Sequence, residues 1–255
     1  MDPALLPLLD DLASPGRTLA FCDETNLTEG ATATLVANLR LHAAFVLDSS
    51  AYASVSGPLA DFLAAGALPE FHAAEIVNGK AGSPWKAVPM PVRLDAYQHI
   101  SNALQLAGSR IAYLRISKGE YDAMVVQSGG AIPTDYKEGL KRVFLSSMAE
   151  YLPRTGASAL IVDRGKNTPG PTLCTVAGGS HLFGGGAILV ESHKVIGLQL
   201  ADMAAYVVRR YLLRKGKIGE SNSDAFDEIT TATVASFEGR FDHLLETDAP
   251  SVCDI

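Results

Sequence analysis

Short apolar runs alternate with longer amphipathic stretches along the chain, which is the pattern of an α/β protein. The run Thr18–Cys22 stops at two carboxylates, Asp23 and Glu24, and predicts a buried strand that delivers acidic groups at its end. Similar runs predict four more strands, at 41–47, 110–116, 157–162 and 187–190. Strands that alternate with helices predict a mixed sheet covered by helices on both faces.

Helices are predicted where apolar residues recur every three or four positions. This spacing indicates helices at 93–107 and 134–148, and a shorter helix is predicted at 58–68. A closing helix is predicted at 197–214. Because its first three turns are apolar around most of their circumference, we expect it to pack centrally.

Two segments carry weaker signals. Residues 79–91 are rich in Gly and Pro and contain the single tryptophan, Trp85, which predicts a surface loop. The tail beyond Ser221 is polar at first and then weakly strand-like at 231–237. Since no Pro/Ser-rich linker divides the 255 residues, we expect one α/β domain over 1–255.

The charge balance is acidic, with 21 Lys and Arg against 28 Asp and Glu and a net charge of −7. This excess argues against indiscriminate binding to nucleic acid, which needs a broad positive field. It leaves room for a local basic groove beside an acidic, metal-binding centre. Because 47% of the residues are hydrophobic, the chain can bury a core.

The cysteines and the apolar segments indicate the cellular compartment in which the protein is expected. Cys22, Cys174 and Cys253 are scattered, so neither a disulfide framework nor a structural zinc site is expected. No apolar run is long enough to cross a membrane, and the N-terminus lacks the basic region of a signal peptide. We therefore expect a soluble, cytoplasmic protein without a membrane partner.

Acidic residues mark the ends of two predicted strands. Neighbouring strands lie about 4.8 Å apart, so Asp23 and Asp163 would stand side by side if their strands are adjacent. A third acid, Asp202, sits in the apolar closing helix, where a lone carboxylate is costly unless it is paired or metal-bound. Three converging acids predict one or two Mg²⁺ or Mn²⁺ ions, which prefer carboxylate ligands.

Each acid also has a simpler interpretation. Asp23 alone could cap a turn through its side chain. Asp202 could pair with Arg209 or Arg210, although these lie about two turns later and a helix-internal pair prefers a spacing of three or four. Glu24 should point away from Asp23 and be solvated.

The segment Glu70-Phe-His72 has a spacing of two, which places both side chains on one face of extended chain. Glu70 could complete a metal shell, and His72 could position water or carry a proton. A surface glutamate and a hydrogen-bonded histidine are the alternative. Ser192 and His193 are adjacent in sequence, which argues against a nucleophile–base pair.

Four short motifs resemble the family known as domain of unknown function 3800. Phe21-Cys-Asp-Glu-Thr25 is similar to its aromatic-x-Asp-Glu-Ser opening, and Glu70-Phe-His-Ala73 to its Glu-x-His element. Leu160-Ile-Val-Asp163 matches its third acidic strand. Glu191-Ser-His-Lys194 followed by Leu198-Gln-Leu-Ala-Asp202 resembles its ending. The motifs occur in order over about 18–214 and leave 215–255 as a C-terminal extension.

The resemblance implies a ribonuclease-H-like fold in which acids from the first strand, a later strand and the last helix surround metal ions. With the residues above, it predicts a metal-dependent nuclease or related phosphoryl-transfer enzyme. The catalytic residues would be Asp23, Glu70, His72, Asp163 and Asp202, and all except His72 would bind metal. Candidate contacts to the phosphates of a nucleic acid substrate are Lys137, Lys141, Arg142, Arg164, Lys166, Arg209 and Arg210.

A second hypothesis is a non-catalytic binding or regulatory subunit of a mobile-element or phage-defence system. In that case the closing helix or the loop around Trp85 would meet a partner protein or a second copy of the chain. A glycoside hydrolase is a third reading, and the aromatic content of 7% gives few rings for stacking on sugars.

Overall fold

The computed structural model describes residues 16–26, 39–79, 82–106, 108–154, 158–164, 172–214 and 224–244. The strands are β1 (Thr18–Asn26), β2 (Leu39–Asp48), β3 (Arg110–Ser117), β4 (Ser158–Asp163), β5 (Thr172–Thr175), β6 (Leu182–Val190) and β7 (Phe241–His243). The α-helices are α1 (Ser49–Ala65), α2 (Ala73–Asn78), α3 (Met90–Leu104), α4 (Lys118–Gln127), α5 (Tyr136–Tyr151), α6 (Ile196–Arg214) and α7 (Ala225–Ser236). Lys166, Ser221 and Cys253 lie outside the described ranges, as do positions 107 and 157, which bound two of the predicted elements.

The described strands form one mixed sheet in the order β5-β6-β4-β1-β2-β3-β7. The central strand β1 runs antiparallel to β2 and parallel to β4. On one side, β3 is antiparallel to β2 and parallel to β7; on the other, β6 is parallel to β4 and antiparallel to β5. The prediction of an α/β fold with a mixed sheet is confirmed.

Both faces of the sheet are covered, because alternate side chains of each inner strand enter different apolar layers. In β1, Leu19 and Phe21 belong to one layer, whereas Ala20 and Cys22 belong to the other. The first layer, here called the α6 face, also contains buried residues of α1, α2, α3, α6 and α7. The second, the α5 face, contains those of α4 and α5.

The long helix α6 packs centrally on β1 and β2, as its apolar circumference predicts. Gly197 in its first turn permits this close packing. A Cβ atom on Gly197 would lie only 2.3 Å from Cε1 of Phe21 in β1. The absence of a side chain therefore lets α6 approach the strand that carries Asp23.

The predicted helix at 58–68 is longer and starts earlier than expected, at Ser49. The carboxylate of Asp48 caps it by accepting the backbone N–H of Ser50 at 2.8 Å. Pro58 lies inside the helix. The boundary was misplaced because Pro58 looked like a helix start, while the residues before it have little apolar periodicity.

The prediction of a surface loop at 79–91 is wrong, because this segment contains a short helix and a buried tryptophan. Residues 80 and 81 lie outside the description, but Pro84–Ala87 forms a 3₁₀ helix and Trp85 is fully buried. The indole N–H of Trp85 donates to the backbone carbonyl of Glu70 at 2.9 Å. The tryptophan thus supports the segment that carries Glu70 and His72.

The strand signal at 231–237 is also wrong, because these residues belong mainly to helix α7. The hydroxyls of Thr230, Thr231 and Thr233 donate to carbonyls four residues earlier in the same helix. Phe226 and Phe237 are buried in the α6 face. The described part of the C-terminal extension therefore completes the core, and α6 is not the closing element.

Four described elements, α2, α4, β5 and β7, were not predicted from the sequence. No helix in the described ranges is both long enough and apolar enough to cross a membrane.

Candidate active site at the ends of β1 and β4

Asp23 and Asp163 come from neighbouring parallel strands. The register of β1 and β4 pairs Cys22 with Val162, so the two aspartates occupy the next position on each strand. Asp23 follows Phe21 by two residues, and Asp163 follows Ile161 by two, which places both on the α6 face. The predicted side-by-side arrangement is confirmed. One detail differs, since β1 continues past Asp23 to Asn26 along β2.

Asp202 approaches this pair from α6. Its carboxyl group lies within hydrogen-bonding distance of that of Asp23, and its Oδ2 accepts the backbone N–H of Ala73 at 2.7 Å. Arg210, one of the alternative partners of Asp202, instead donates to Asp224 at 2.7 Å and to Asp227 at 2.5 Å. The alternative pairing of Asp202 with Arg210 is therefore wrong.

Burial and neighbouring charges shift the pKa values of Asp23 and Asp202. Burial raises the pKa of Asp23 well above its ordinary value, and the charges of Asp202 and Asp163 raise it further. The N–H of Glu24, which donates to Asp23 at 2.7 Å, opposes this rise. Burial also raises the pKa of Asp202, against the lowering effect of nearby His72. Without a cation, Asp23 and Asp202 therefore retain a proton at a pH where free aspartates are ionised.

Glu70 is a half-buried residue at the edge of this cluster and not a surface glutamate. Burial raises its pKa, while His193 and His72 lower it and the charges of Asp163 and Asp202 raise it. Its Oε2 atom is buried and has no hydrogen-bond partner among the described residues. Such an atom is costly in the absence of a ligand.

His72 lies beside Asp202, with 3.8 Å between Nδ1 and Oδ2. Its side chain is 46% exposed, so it faces both the cluster and solvent. The residue occupies the N-cap position of α2, immediately before the N–H of Ala73 that binds Asp202. Structure thus brings all five predicted site residues to one region.

Gln199 is a residue whose role the sequence did not reveal. Its side chain is buried; Oε1 accepts the N–H of Phe71 at 2.9 Å and Nε2 donates to the carbonyl of Ser192 at 3.3 Å. It therefore holds the Glu70–His72 segment and the 3₁₀ helix Ser192–Lys194 against α6. The sequence feature that could have identified Gln199 is its polar side chain, one turn before Asp202 in an otherwise apolar stretch.

His193 is a second residue that was not placed in the site from sequence. It is close enough to lower the pKa of Glu70, and its Nε2 is 3.6 Å from Oε2 of Glu191. The side chain is 57% exposed.

Glu24 points to the α5 face, away from Asp23, as predicted from strand alternation. Its carboxylate is not simply solvated, however. It lies 3.1 Å from Nζ of Lys137 and 3.9 Å from Nε2 of His42. Although burial opposes the effect, His42 and Lys137 lower the pKa of Glu24. Glu24 is therefore part of an ion pair outside the aspartate cluster.

The carboxylates are the type of ligand that a hard divalent cation binds, but their present side-chain positions do not form a metal site. Within the described ranges, no group of three or more His, Cys, Asp or Glu side chains could hold a metal ion as it stands. Carboxylate oxygens are nevertheless the ligands that Mg²⁺ and Mn²⁺ prefer, and no described residue is a hydrogen-bond partner for the buried Oε2 of Glu70. Metal binding at Asp23, Glu70, Asp163 and Asp202 would thus require their side chains to turn.

Comparison of the chain with protein-family models, with curated proteins and with solved structures gave no match. The resemblance of the four motifs to the domain of unknown function 3800 family therefore stays a prediction. Functional inference rests on the site itself.

Proposed function

We propose that the chain is a divalent-metal-dependent phosphodiester hydrolase, a nuclease or a related phosphoryl-transfer enzyme, with a ribonuclease-H-like arrangement of acids. The observation that carries the proposal is the meeting of Asp23, Asp163 and Asp202 from β1, β4 and α6. Burial raises the pKa of Asp23 and of Asp202, and the charge of Asp163 raises both further; a cation would relieve these effects. Glu70 would be the fourth metal ligand.

One or two bound Mg²⁺ or Mn²⁺ ions would supply an activated water and stabilise the charge on the leaving oxygen. The chain's own groups orient the carboxylates for this role. The N–H of Glu24 fixes Asp23, and the N–H of Ala73 fixes Asp202. His72 is half-exposed beside Asp202, where it can carry a proton between the site and solvent.

The non-catalytic alternative has less support in the fold. It required a partner surface at the loop around Trp85 or along the helix that follows Val195. Trp85 is fully buried, and α6 is covered by the sheet on one side and by α3 and α7 on others. The buried Trp85 side chain and the covered faces of α6 are therefore not available as contacts for a partner.

The test is cleavage of end-labelled RNA and DNA, single- and double-stranded, in Mg²⁺, in Mn²⁺ and in EDTA. The wild type is compared with Asp163→Asn and with Asp95→Asn, which changes an exposed aspartate of α3. We expect metal-dependent cleavage by the wild type and Asp95→Asn, and loss of cleavage in Asp163→Asn. Equal cleavage by wild type and Asp163→Asn would show that the activity does not come from this site.

A further inference from the structure

A cleft of about 310 Å³ lies on the α5 face, between α5 and the ends of β1 and β4. Cys22 and Val162 contribute to its wall, and it reaches Asp23 and Asp163 at its edge. The cleft and the aspartate cluster thus meet at the same strand ends, although most of the cleft is on the opposite face of the sheet. A ligand in the cleft would extend to the candidate active site.

Most acidic groups of the cleft already have partners. Glu24 is paired with Lys137 at 3.1 Å, and Glu138 is paired with Arg142 at 3.3 Å. Asp135 caps α5 by accepting the N–H of Glu138 at 2.7 Å. The acidic groups that remain at the edge are Asp23 and Asp163, which the proposed cation would neutralise.

Lys141 is the cation with the clearest capacity to bind a ligand here. It is half-buried in the cleft wall, and its ammonium group forms no ion pair with a carboxylate of the described residues. Burial lowers the pKa of the neighbouring His42 to about 4, and the charge of Lys141 contributes to that lowering. The ammonium group therefore lies beside a neutral histidine, with one face of the cleft open to an anion.

Arg164 adds unsatisfied donors to the same wall. Its side chain is 4% exposed, and one terminal nitrogen, Nη2, donates to Oε1 of Glu191 at 2.7 Å. Its Nε and Nη1 atoms are buried and have no acceptor in the described part of the chain. Buried donors of a charged group are costly when they lack acceptors. An anion that entered the cleft and turned this side chain would supply them.

We propose that this cleft binds a backbone phosphate of a nucleic acid strand, next to the phosphate that meets Asp23 and Asp163. The proposal rests on the hydrolase function above and names its substrate-binding groups as Lys141, Lys137 and Arg164. Two other basic residues that the sequence suggested as phosphate contacts do not belong to the cleft. Arg142 is paired outside the cleft, and Arg210 is buried against Asp224 and Asp227.

The experiment measures binding of a short fluorescent single-stranded oligonucleotide by anisotropy, over a range of salt concentrations. All proteins carry Asp23→Asn, and EDTA is present, so that no cleavage occurs and the repulsion from the acids is reduced. Lys141→Gln is compared with Arg142→Gln, its neighbour on the same helix. We expect Lys141→Gln to weaken binding several-fold and to reduce the salt slope by about 0.7, the value for one single-strand phosphate contact. Arg142→Gln should leave both unchanged.

Three results of the binding experiment would overturn the proposal: no binding, equal effects of Lys141→Gln and Arg142→Gln, or displacement of the oligonucleotide by equimolar inorganic phosphate. The last would show that the cleft takes a free anion. The cleavage assay separates this result from the hydrolase proposal. Cleavage that is insensitive to Lys141→Gln overturns only the cleft. Binding that depends on Lys141, with no cleavage in any metal, supports the cleft and contradicts the hydrolase function.

Discussion

The carboxyl groups of Asp23 and Asp202 lie within hydrogen-bonding distance of each other, although 178 residues separate them in sequence. The contact depends on the close approach of α6 to β1, where Gly197 faces the ring of Phe21. Asp163 joins them from the neighbouring parallel strand. Because β1, β4 and α6 hold the three acids close together, protons or a cation relieve their repulsion.

Stability without metal should fall as the pH rises. The folded-state pKa of Asp23 is raised above its unfolded value near 3.8, so the folded protein binds more protons than the unfolded one. This contribution is fully present below the unfolded pKa and is lost as the pH rises through the folded pKa. In Asp23→Asn that part of the decline should be absent. The free energy of unfolding in urea and EDTA, measured as a function of pH, checks this prediction. The same pH dependence for wild type and Asp23→Asn would contradict it.

Divalent ions should reverse that loss. A ligand that binds only the folded state at 100 times its Kd adds about 2.7 kcal/mol of stability. We therefore expect Mn²⁺ to raise the Tm of the wild type in alkaline buffer, and to raise it less in acid, where protons compete for the carboxylates. Asp163→Asn should lose most of the shift, whereas Asp95→Asn should keep it. The same shift in both variants would place the bound metal elsewhere.

Replacing Gln199 tests how the Glu70–His72 segment is positioned. Gln199→Met removes the acceptor of the Phe71 N–H and should cost about 1–3 kcal/mol. It should also weaken Mn²⁺ binding by roughly 10–100-fold, the usual effect of removing a group that orients ligands. Gln98→Met, at an exposed position of α3, is the control. Lost stability with unchanged Mn²⁺ affinity would restrict Gln199 to a structural role.

Gly197→Ala tests the packing of α6 on β1. The added methyl would clash with the ring of Phe21, and overpacking of this kind typically costs about 1–3 kcal/mol. Gly57→Ala is a matched control, because a Cβ there meets nothing within 4 Å and helical Gly-to-Ala changes are stabilising. The double variant Phe21→Leu/Gly197→Ala should lose less than the sum of the single losses. Additive losses in chemical denaturation would argue against the contact.

The strands that carry Asp23 and Asp163 were predictable because each is a short apolar run that reaches a carboxylate. The polar position of Asp202 in an apolar helix was equally visible. These signals are local: the two-residue alternation of a strand and the apolar circumference of a buried helix can be read without knowing the fold.

Other features depended on contacts between distant parts of the chain. Trp85 looked exposed among Gly and Pro residues, but its N–H donates to the carbonyl of Glu70. Gln199 accepts the N–H of Phe71, 128 positions away in sequence, and the local sequence around either residue does not predict this hydrogen bond. The threonine-rich segment of α7 resembled a strand because β-branched residues favour strands, yet packing of Phe226 and Phe237 in the core outweighs that preference.

The most direct test of the metal site is an anomalous difference map from crystals soaked in Mn²⁺. We expect a peak bounded by Asp23, Asp163 and Asp202, with Glu70 turned toward it and its Oε2 bound to the metal. Crystals that contain Mn²⁺ in solution but show no peak among these carboxylates, with Asp23 and Asp202 still facing each other, would contradict it.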